Sequence, residues 1–266
     1  MSELHPTRSR SEPNSGLRRD SVDPRIRAPG GAGRYRRRFL IAVRCVFVLV
    51  AGLLAAGALY MLSLPGVGDA TARVEHILAL HHGIAARLPP PRRLGAAIVA
   101  VEDEHLYSGF LINVLDGGGR AALATVAGSP DPGGSTIPQQ LAKVLYGRGS
   151  GLGATLREIG LGLKLSFRYS PSQILVMYLN AVYYGNGYWG DVAAARGYFH
   201  TTPNALSWPE AAMLAGLPQA PSAYDPLQHY SVAKQRQRHV LDQLVANHDL
   251  TRAQANSAFR RSLPLP

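Results

Sequence analysis

The sequence predicts a mainly α-helical domain standing behind one long apolar helix near the N-terminus. Three observations carry this. Cys45 to Leu64 is a run of 20 residues without a charge. After it, apolar residues recur at helical spacing and are interrupted by Pro-Pro-Pro, Ser-Pro and Gly-Leu-Pro punctuation. Strand-type alternation is rare and short.

Residues 1–38 carry ten arginines among Ser, Pro and Gly, with few large apolar groups, and read as a disordered basic tail. The formal net charge of +11 admits nucleic acid, anionic lipid or an anionic substrate as partner. Position decides: the arginine run abuts the apolar stretch, so the membrane is expected and nucleic acid is not. Residues 39–64 read as a single transmembrane anchor, since 20 residues at 1.5 Å each span the ~30 Å hydrocarbon core. The positive-inside rule places the tail in the cytoplasm and the rest outside. A cleaved signal peptide is the competing reading; the long basic region and the length of the apolar run oppose it. Cys45 is the single cysteine, so the exterior part is expected to work without disulfides or thiol chemistry.

Residues 65–93 read as a connector with a helical pattern from Ala72 to Leu88, stopped by Pro89-Pro90-Pro91. One domain, residues 94–266, follows. Helical patterns cover Leu94–Leu106, Ser135–Tyr146 and Thr155–Phe167. Ser170 and Pro171 give a cap and a first helical residue before Ile174, Leu175, Tyr178, Leu179 and Val182 on one face. Further helices are expected over Pro209–Leu217, Val232–Asn247 and Thr251–Phe259.

Acids are scarce in this domain. Glu102-Asp103-Glu104 follows the apolar run Ala96–Val101, and a carboxylate leaving such a run loses solvent, which raises its pKa and suits it to take a proton. An exposed acidic helix end is the bland alternative. Glu158 precedes a second apolar helix, where the helix dipole alone explains an acid. Between them, Gly133-Gly134-Ser135-Thr136 leads into Ile137-Pro138-Gln139-Gln140-Leu141-Ala142-Lys143. Flexible backbone donors, a helix N-terminus, two amides and a cation suit a sugar joined to a diphosphate. By composition alone an ordinary loop-to-helix junction fits equally. No His or Cys cluster has metal-ligand spacing, and His81, His82 and His105 read as surface residues.

In order and spacing, four blocks resemble the peptidoglycan glycosyltransferases, the family of monofunctional transglycosylases and of the membrane-proximal domain of bifunctional penicillin-binding proteins. The blocks are AAIVAVEDEHLY (96–107), GGSTIPQQLAK (133–143), RYSPSQILVMYLNAVYYGNGYWGDVAAARGYF (168–199) and EAAMLAGLPQAPSAYDP (210–226). The resemblance implies a lysozyme-like glycosyltransferase domain that polymerises lipid II into glycan strands by inverting transfer, releasing undecaprenyl diphosphate. It implies Glu102 as general base toward the acceptor 4-hydroxyl and Glu158 as the second catalytic carboxylate, beside the diphosphate. Substrate binding falls to Asp103, Gly134, Ser135, Thr136, Gln139, Gln140, Lys143, Arg148, Arg157 and Asn180. No protein-held metal is implied; a divalent cation, Mg2+ or Mn2+, is allowed as a helper. Lipid II, the growing glycan chain, the membrane, a separate transpeptidase and other cell-wall proteins are the implied partners.

The chain departs from the family pattern at Gly109 and Leu111, where a His and a Gly are usual, and at Pro138, usually Thr or Ser. Ala154 and Thr155 replace an Arg-Lys pair, and Val176 replaces a Glu. These departures support an alternative reading: an inactive homologue that binds the lipid-linked precursor or cell-wall partners. A glycan-cleaving enzyme is a third reading that the second block does not favour.

Overall fold

The computed structural model describes residues 32–108, 135–147 and 149–266. The chain forms two compact units, Met1–Ala58 and Leu59–Pro266. The described part of the first is helix α1 (Ala32–Ser63), which continues into the second. It starts before the expected boundary at residue 38, so residues 32–38 are helical rather than tail-like. Adding residues to an existing helix is cheap once its nucleus exists. Its apolar side chains are bare, Phe39, Phe47 and Leu54 being 67%, 73% and 70% exposed. Among the described residues it is the helix long and apolar enough to cross a membrane.

The second unit is built from α2 (Ala70–Leu80), α3 (Arg92–Glu102), α4 (Ile137–Tyr146), α5 (Gly151–Arg168), α6 (Pro171–Ala181), α7 (Asp191–Phe199), a short 3-10 turn (Pro203–Ala205), α8 (Trp208–Gly216), α9 (Tyr230–Ala246) and α10 (Arg252–Arg260). Among the described residues β-pairing is limited to one antiparallel bridge, Tyr183 to Trp189. The mainly α expectation therefore holds.

The Ser170 start signal works as read: Ser170 and Gln173 form a capping box around Pro171. Ser207 with Glu210 and Thr251 with Gln254 add capping boxes at two further helix starts. Helix α5 begins at Gly151, ahead of the expected Thr155, and two helix ends and one whole helix also differ from expectation. Helix α2 ends at Leu80 rather than running to Leu88, because His82 turns left-handed and the Gly83 amide closes the helix onto the Leu78 carbonyl at 2.7 Å. Helix α3 ends at Glu102. Helix α7 was not expected; its Ala-rich stretch begins directly after Gly190, whose φ of 80° no side-chain-bearing residue adopts easily.

Residues 65–93 are not a mere connector. Val67, Ala70, Val74 and Leu78 are buried in the same core as Leu94, Ile98, Leu141, Leu165, Tyr178 and Leu214. The Asn180 side chain holds the strand of chain beyond α2, accepting from the Ala86 amide at 2.7 Å and donating to its carbonyl at 2.9 Å. Helix α4 lies against α5 and α6, while α3 lies against α8 and α9. The α4–α5 approach depends on Gly162, where a Cβ would stand 3.0 Å from the Gln139 backbone nitrogen. Two residues earlier, a Cβ on Gly160 would collide with Leu64, and Lys164 donates to the Leu64 carbonyl at 2.6 Å. Small residues thus let α5 receive α4 along one side and the last turn of α1 along another.

Candidate active site

The site grows from the junction of α3 and α4. Asp103 caps the start of α4: its Oδ2 accepts from the Ile137 amide at 3.0 Å, and it is buried. A carboxylate facing helix amides is favoured by unpaired donors and by the dipole. Thr136 and Gln139 complete the cap, Gln139 Oε1 accepting from the Thr136 amide at 3.2 Å. Pro138 sits in the first turn, where its missing N–H has no helical partner to lose. Thr136, Gln139 and Asp103 therefore set the direction of α4, and Gln140 emerges beside Glu102.

Gln140 Nε2 donates to Glu102 Oε2 at 2.8 Å and to the Ser135 carbonyl at 3.2 Å. Its Oε1 accepts from the Tyr178 hydroxyl at 2.9 Å. Tyr178 is fully buried, so this bond fixes which way the amide faces. On the other side, Arg236 Nη2 of α9 stands 3.7 Å from Glu102 Oε1, an ion pair without a hydrogen bond. The two side chains are 10% and 12% exposed. Burial is the main influence on Glu102 and pushes its pKa up; the Gln140 donor and the Arg236 charge pull against it, and Asp103 adds to the rise. A carboxylate so held accepts a proton more readily than one in water.

Glu158 lies on α5, facing Lys143 in the last turn of α4 at 3.3 Å. Gln140 and Lys143 are three residues apart on α4, hence on one face and separated by about 4.5 Å of helix rise. The two predicted carboxylates are therefore attached to adjacent positions of one helix, one through an amide and one through an ammonium.

The remaining predicted residues divide. Ser135 borders the site, its carbonyl held by Gln140. Arg157 is exposed on α5. Asn180 is committed to Ala86 rather than pointing at Glu102 or Glu158. Gly134 and Arg148, with Gly109 and Leu111, lie outside the described residues. Ala154 and Thr155 occupy the first turn of α5 without charge, and Val176 is buried, where no partner is needed. The reading of the sequence missed Arg236. A faint sign was present: in Lys234-Gln-Arg-Gln-Arg238, helical spacing sets Ala233, Gln237 and Val240 inward, so Arg236 flanks the buried stripe. Its Nε also reaches the Gly216 carbonyl at 3.4 Å, so it ties the end of α8 to Glu102.

Comparison with known proteins fits this geometry. A family model described as Transglycosylase matches residues 84–245. Penicillin-binding protein 2a of Streptococcus pneumoniae is 40% identical over 156 residues, 58% of this chain and 21% of its own length. Penicillin-binding protein 1A of Neisseria gonorrhoeae is 37% identical over 175 residues, 65% of this chain and 22% of its own. A protein of Cupriavidus necator, named as a candidate transglycosylase, is 35% identical over 176 residues, 66% of this chain and 76% of its own. The crystal structure of penicillin-binding protein 1A from Haemophilus influenzae aligns with a TM-score of 0.42 and 21% identity, covering 69% of this chain and 18% of that one. The chain thus spans about a fifth of the penicillin-binding proteins it matches. With the family model covering both carboxylates and the helix that joins them, the chain belongs to the transglycosylase family, the peptidoglycan glycosyltransferases.

Proposed function

We propose that the chain is a membrane-anchored peptidoglycan glycosyltransferase that polymerises lipid II. The observation that carries this reading is the Glu102–Gln140 pair: a buried carboxylate of raised proton affinity, hydrogen-bonded to the helix that also bears Lys143. Glu102 takes the proton from the 4-hydroxyl of the acceptor N-acetylglucosamine. The freed oxygen forms a bond to the anomeric carbon of the donor N-acetylmuramic acid, and the bond from that carbon to undecaprenyl diphosphate breaks with inversion. Lys143 meets the charge developing on the diphosphate, and Glu158 aims Lys143. Gln140 and Arg236 hold Glu102 between protonation states, buried enough to be basic and ionised enough to accept.

Among the described residues no group of three ligating side chains stands together, and Glu158 faces Lys143. A divalent cation belongs in this scheme as a companion of the diphosphate, and no step depends on it. The apolar α1 behind an arginine-rich tail supports single-pass anchorage in the bacterial inner membrane, N-terminus cytoplasmic and catalytic unit outside. A separate transpeptidase would crosslink the strands.

One observation favours a second reading. With Ala154 and Thr155 in place of cations, α5 brings a pair of positive charges fewer to Glu158, which already faces Lys143. A protein so short of positive charge could hold the precursor without turning it over. Full-length protein in nanodiscs with labelled lipid II and Mg2+ separates the two. Glycan polymer on a gel, abolished by Glu102→Gln, supports the enzyme; lipid II bound by wild type with no polymer at any pH supports the second reading.

A further inference from the structure

Asp69 stands at the N-cap of α2, where an aspartate ordinarily accepts from the first amides of its own helix. Its side chain makes no such bond. Instead Oδ1 accepts from the Tyr146 hydroxyl at 2.9 Å, and Oδ2 accepts from Arg73 Nε at 2.8 Å. Arg73 reaches further. Its Nη1 donates to the Leu145 carbonyl at 3.3 Å, and its guanidinium lies over the Tyr146 ring, 4.6 Å from the centroid. Leu145 and Tyr146 are the last two residues of α4. A cap on α2 is forgone for a brace on a residue 77 positions later in the chain.

The brace sits where α4 needs one. The last four carbonyls of a helix have no partner within it, and helix ends fray. Helix α4 has 10 residues, and Gly147 behind it turns the chain with a φ of 92°. Arg73 takes one of the free carbonyls and brings a cation to the negative end of the helix dipole. Tyr146 is buried, so its bond to Asp69 fixes how the last turn is rotated. Lys143 belongs to that turn, three residues before Tyr146, so the two side chains are neighbours on the helix surface. At the other end Asp103 holds the Ile137 amide. An aspartate thus grips each end of α4, one near Gln140 and one near Lys143. The stretch before α2 grips α5 as well. Lys164 donates to the carbonyls of Leu64 at 2.6 Å and Pro65 at 3.2 Å, and the Tyr169 hydroxyl stands 3.0 and 3.2 Å from those of Val67 and Gly68. Residues 64–73 therefore join the helix of Lys143 to the helix of Glu158, whose side chains meet at 3.3 Å.

We propose that Asp69 and Arg73 are positioning residues for Lys143. They act through Leu145 and Tyr146, setting the last turn of α4 so that the ammonium is presented both to Glu158 and to an arriving diphosphate. The inference rests on the reading of Lys143 as the cation that meets the leaving group. Lysine is a point charge on a flexible stem, and Lys143 is 35% exposed. Such a group stabilises a developing anion best when it is held in place before the charge appears. Glu158 holds the head of Lys143, and Asp69 with Arg73 holds its root. Asp69 and Arg73 are themselves half-exposed, so either can be changed without opening the core.

The test is a catalytic double-mutant cycle in the full-length protein, in nanodiscs with labelled lipid II, pairing Arg73→Gln with Lys143→Ala. Arg73→Gln should lower kcat by about tenfold with KM within about twofold, short of the roughly hundredfold that a fully misplaced group costs. In the Lys143→Ala background the same change should cost less than about twofold. Tyr146→Phe keeps the ring under Arg73 and removes the bond to Asp69, and its loss should likewise vanish without Lys143. Equal losses with and without Lys143 reduce Arg73 to a brace of the fold and overturn the inference. A second readout needs no turnover. A mild acylating reagent at pH 8 should label Lys143 about threefold faster in Arg73→Gln than in wild type, relative to Lys234, because a loosened pair with Glu158 leaves more free amine. An unchanged labelling ratio overturns the inference and leaves the proposed function standing. Wild type that makes no polymer refutes the proposed function, and the labelling ratio still decides whether Arg73 sets Lys143.

Discussion

Glu102 of α3 and Glu158 of α5 meet α4 at Gln140 and Lys143, three residues apart, yet they live in different surroundings. Glu102 is 10% exposed, faces a neutral amide, and has a guanidinium at 3.7 Å that does not quite bond. Glu158 is 15% exposed and faces an ammonium that is itself 35% exposed, at 3.3 Å. The difference suits two tasks. A group that must change protonation gains from desolvation and from partners that leave one oxygen open. A group that must hold a cation in place gains from a fixed charge near water, where a diphosphate arrives. Environment, more than residue type, separates a base from a holder.

The strongest way to break this comparison is Glu102→Gln. Glutamine keeps the shape and can still accept from Gln140, but it cannot take a proton. Polymerisation should fall by about 10³-fold or more, since base catalysis contributes on the order of 10²–10⁴. Labelled lipid II binding should stay within about threefold. Residual polymerisation above a tenth of wild type would move the base elsewhere.

Lys143→Ala and Glu158→Gln test the other end. Loss of Lys143 should lower kcat by about 10²-fold, the scale of removing one preorganised donor from a developing anion. Glu158→Gln should lower it less than Lys143→Ala does, and the double variant should match Lys143→Ala alone. Additive losses would mean that Glu158 has a task besides aiming Lys143.

Gln140→Leu sharpens the comparison from the middle. It removes a donor that pulls the Glu102 pKa down and leaves the Tyr178 hydroxyl without its acceptor. The acid limb of the rate profile should shift to higher pH, with about a tenfold loss at pH 7. Stability should drop by about 1–3 kcal/mol, the cost of an orphaned buried hydroxyl. Arg236→Gln shifts the same limb in the same direction, because the Arg236 charge also favours the ionised form.

Much of this was legible in the chain. The apolar run, the Ser-Pro and Ser-Trp-Pro starts and the spacing of Ile174 to Val182 name their helices by local physics alone. Glu102, Glu158, Gln140 and Lys143 could be placed because motifs carry them in order. What the sequence hides is long-range. Nothing local says that Asn180 will hold Ala86, that Arg236 will cross to Glu102, or that Ala70, Val74 and Leu78 join the main core. Helix α7 was missed because an aspartate after a glycine reads as a turn; only the fold shows that the aspartate is buried. The two glutamines look alike in sequence, and the capping of α4 decides that Gln139 turns inward and Gln140 reaches Glu102.

The smallest effect separates the two carboxylates by stability instead of rate. Burial raises the Glu102 pKa above its ordinary 4.5. Below pH 4.5 the carboxyl is protonated in folded and unfolded chains alike, so wild type and Glu102→Gln should tie. As pH rises from 4.5 through the folded value, the wild-type chain must ionise a buried group and the variant need not. Glu102→Gln should therefore become the more stable protein at pH 8, read as a higher Tm than wild type. Glu158→Gln runs the other way. It removes a partly exposed ion pair of about 0.5 kcal/mol, so the variant should be slightly less stable, and 0.5 M salt should weaken the difference. Opposite signs for two glutamates that meet one face of α4 are what their surroundings require; equal signs would mean that Glu102 and Glu158 differ in motif alone.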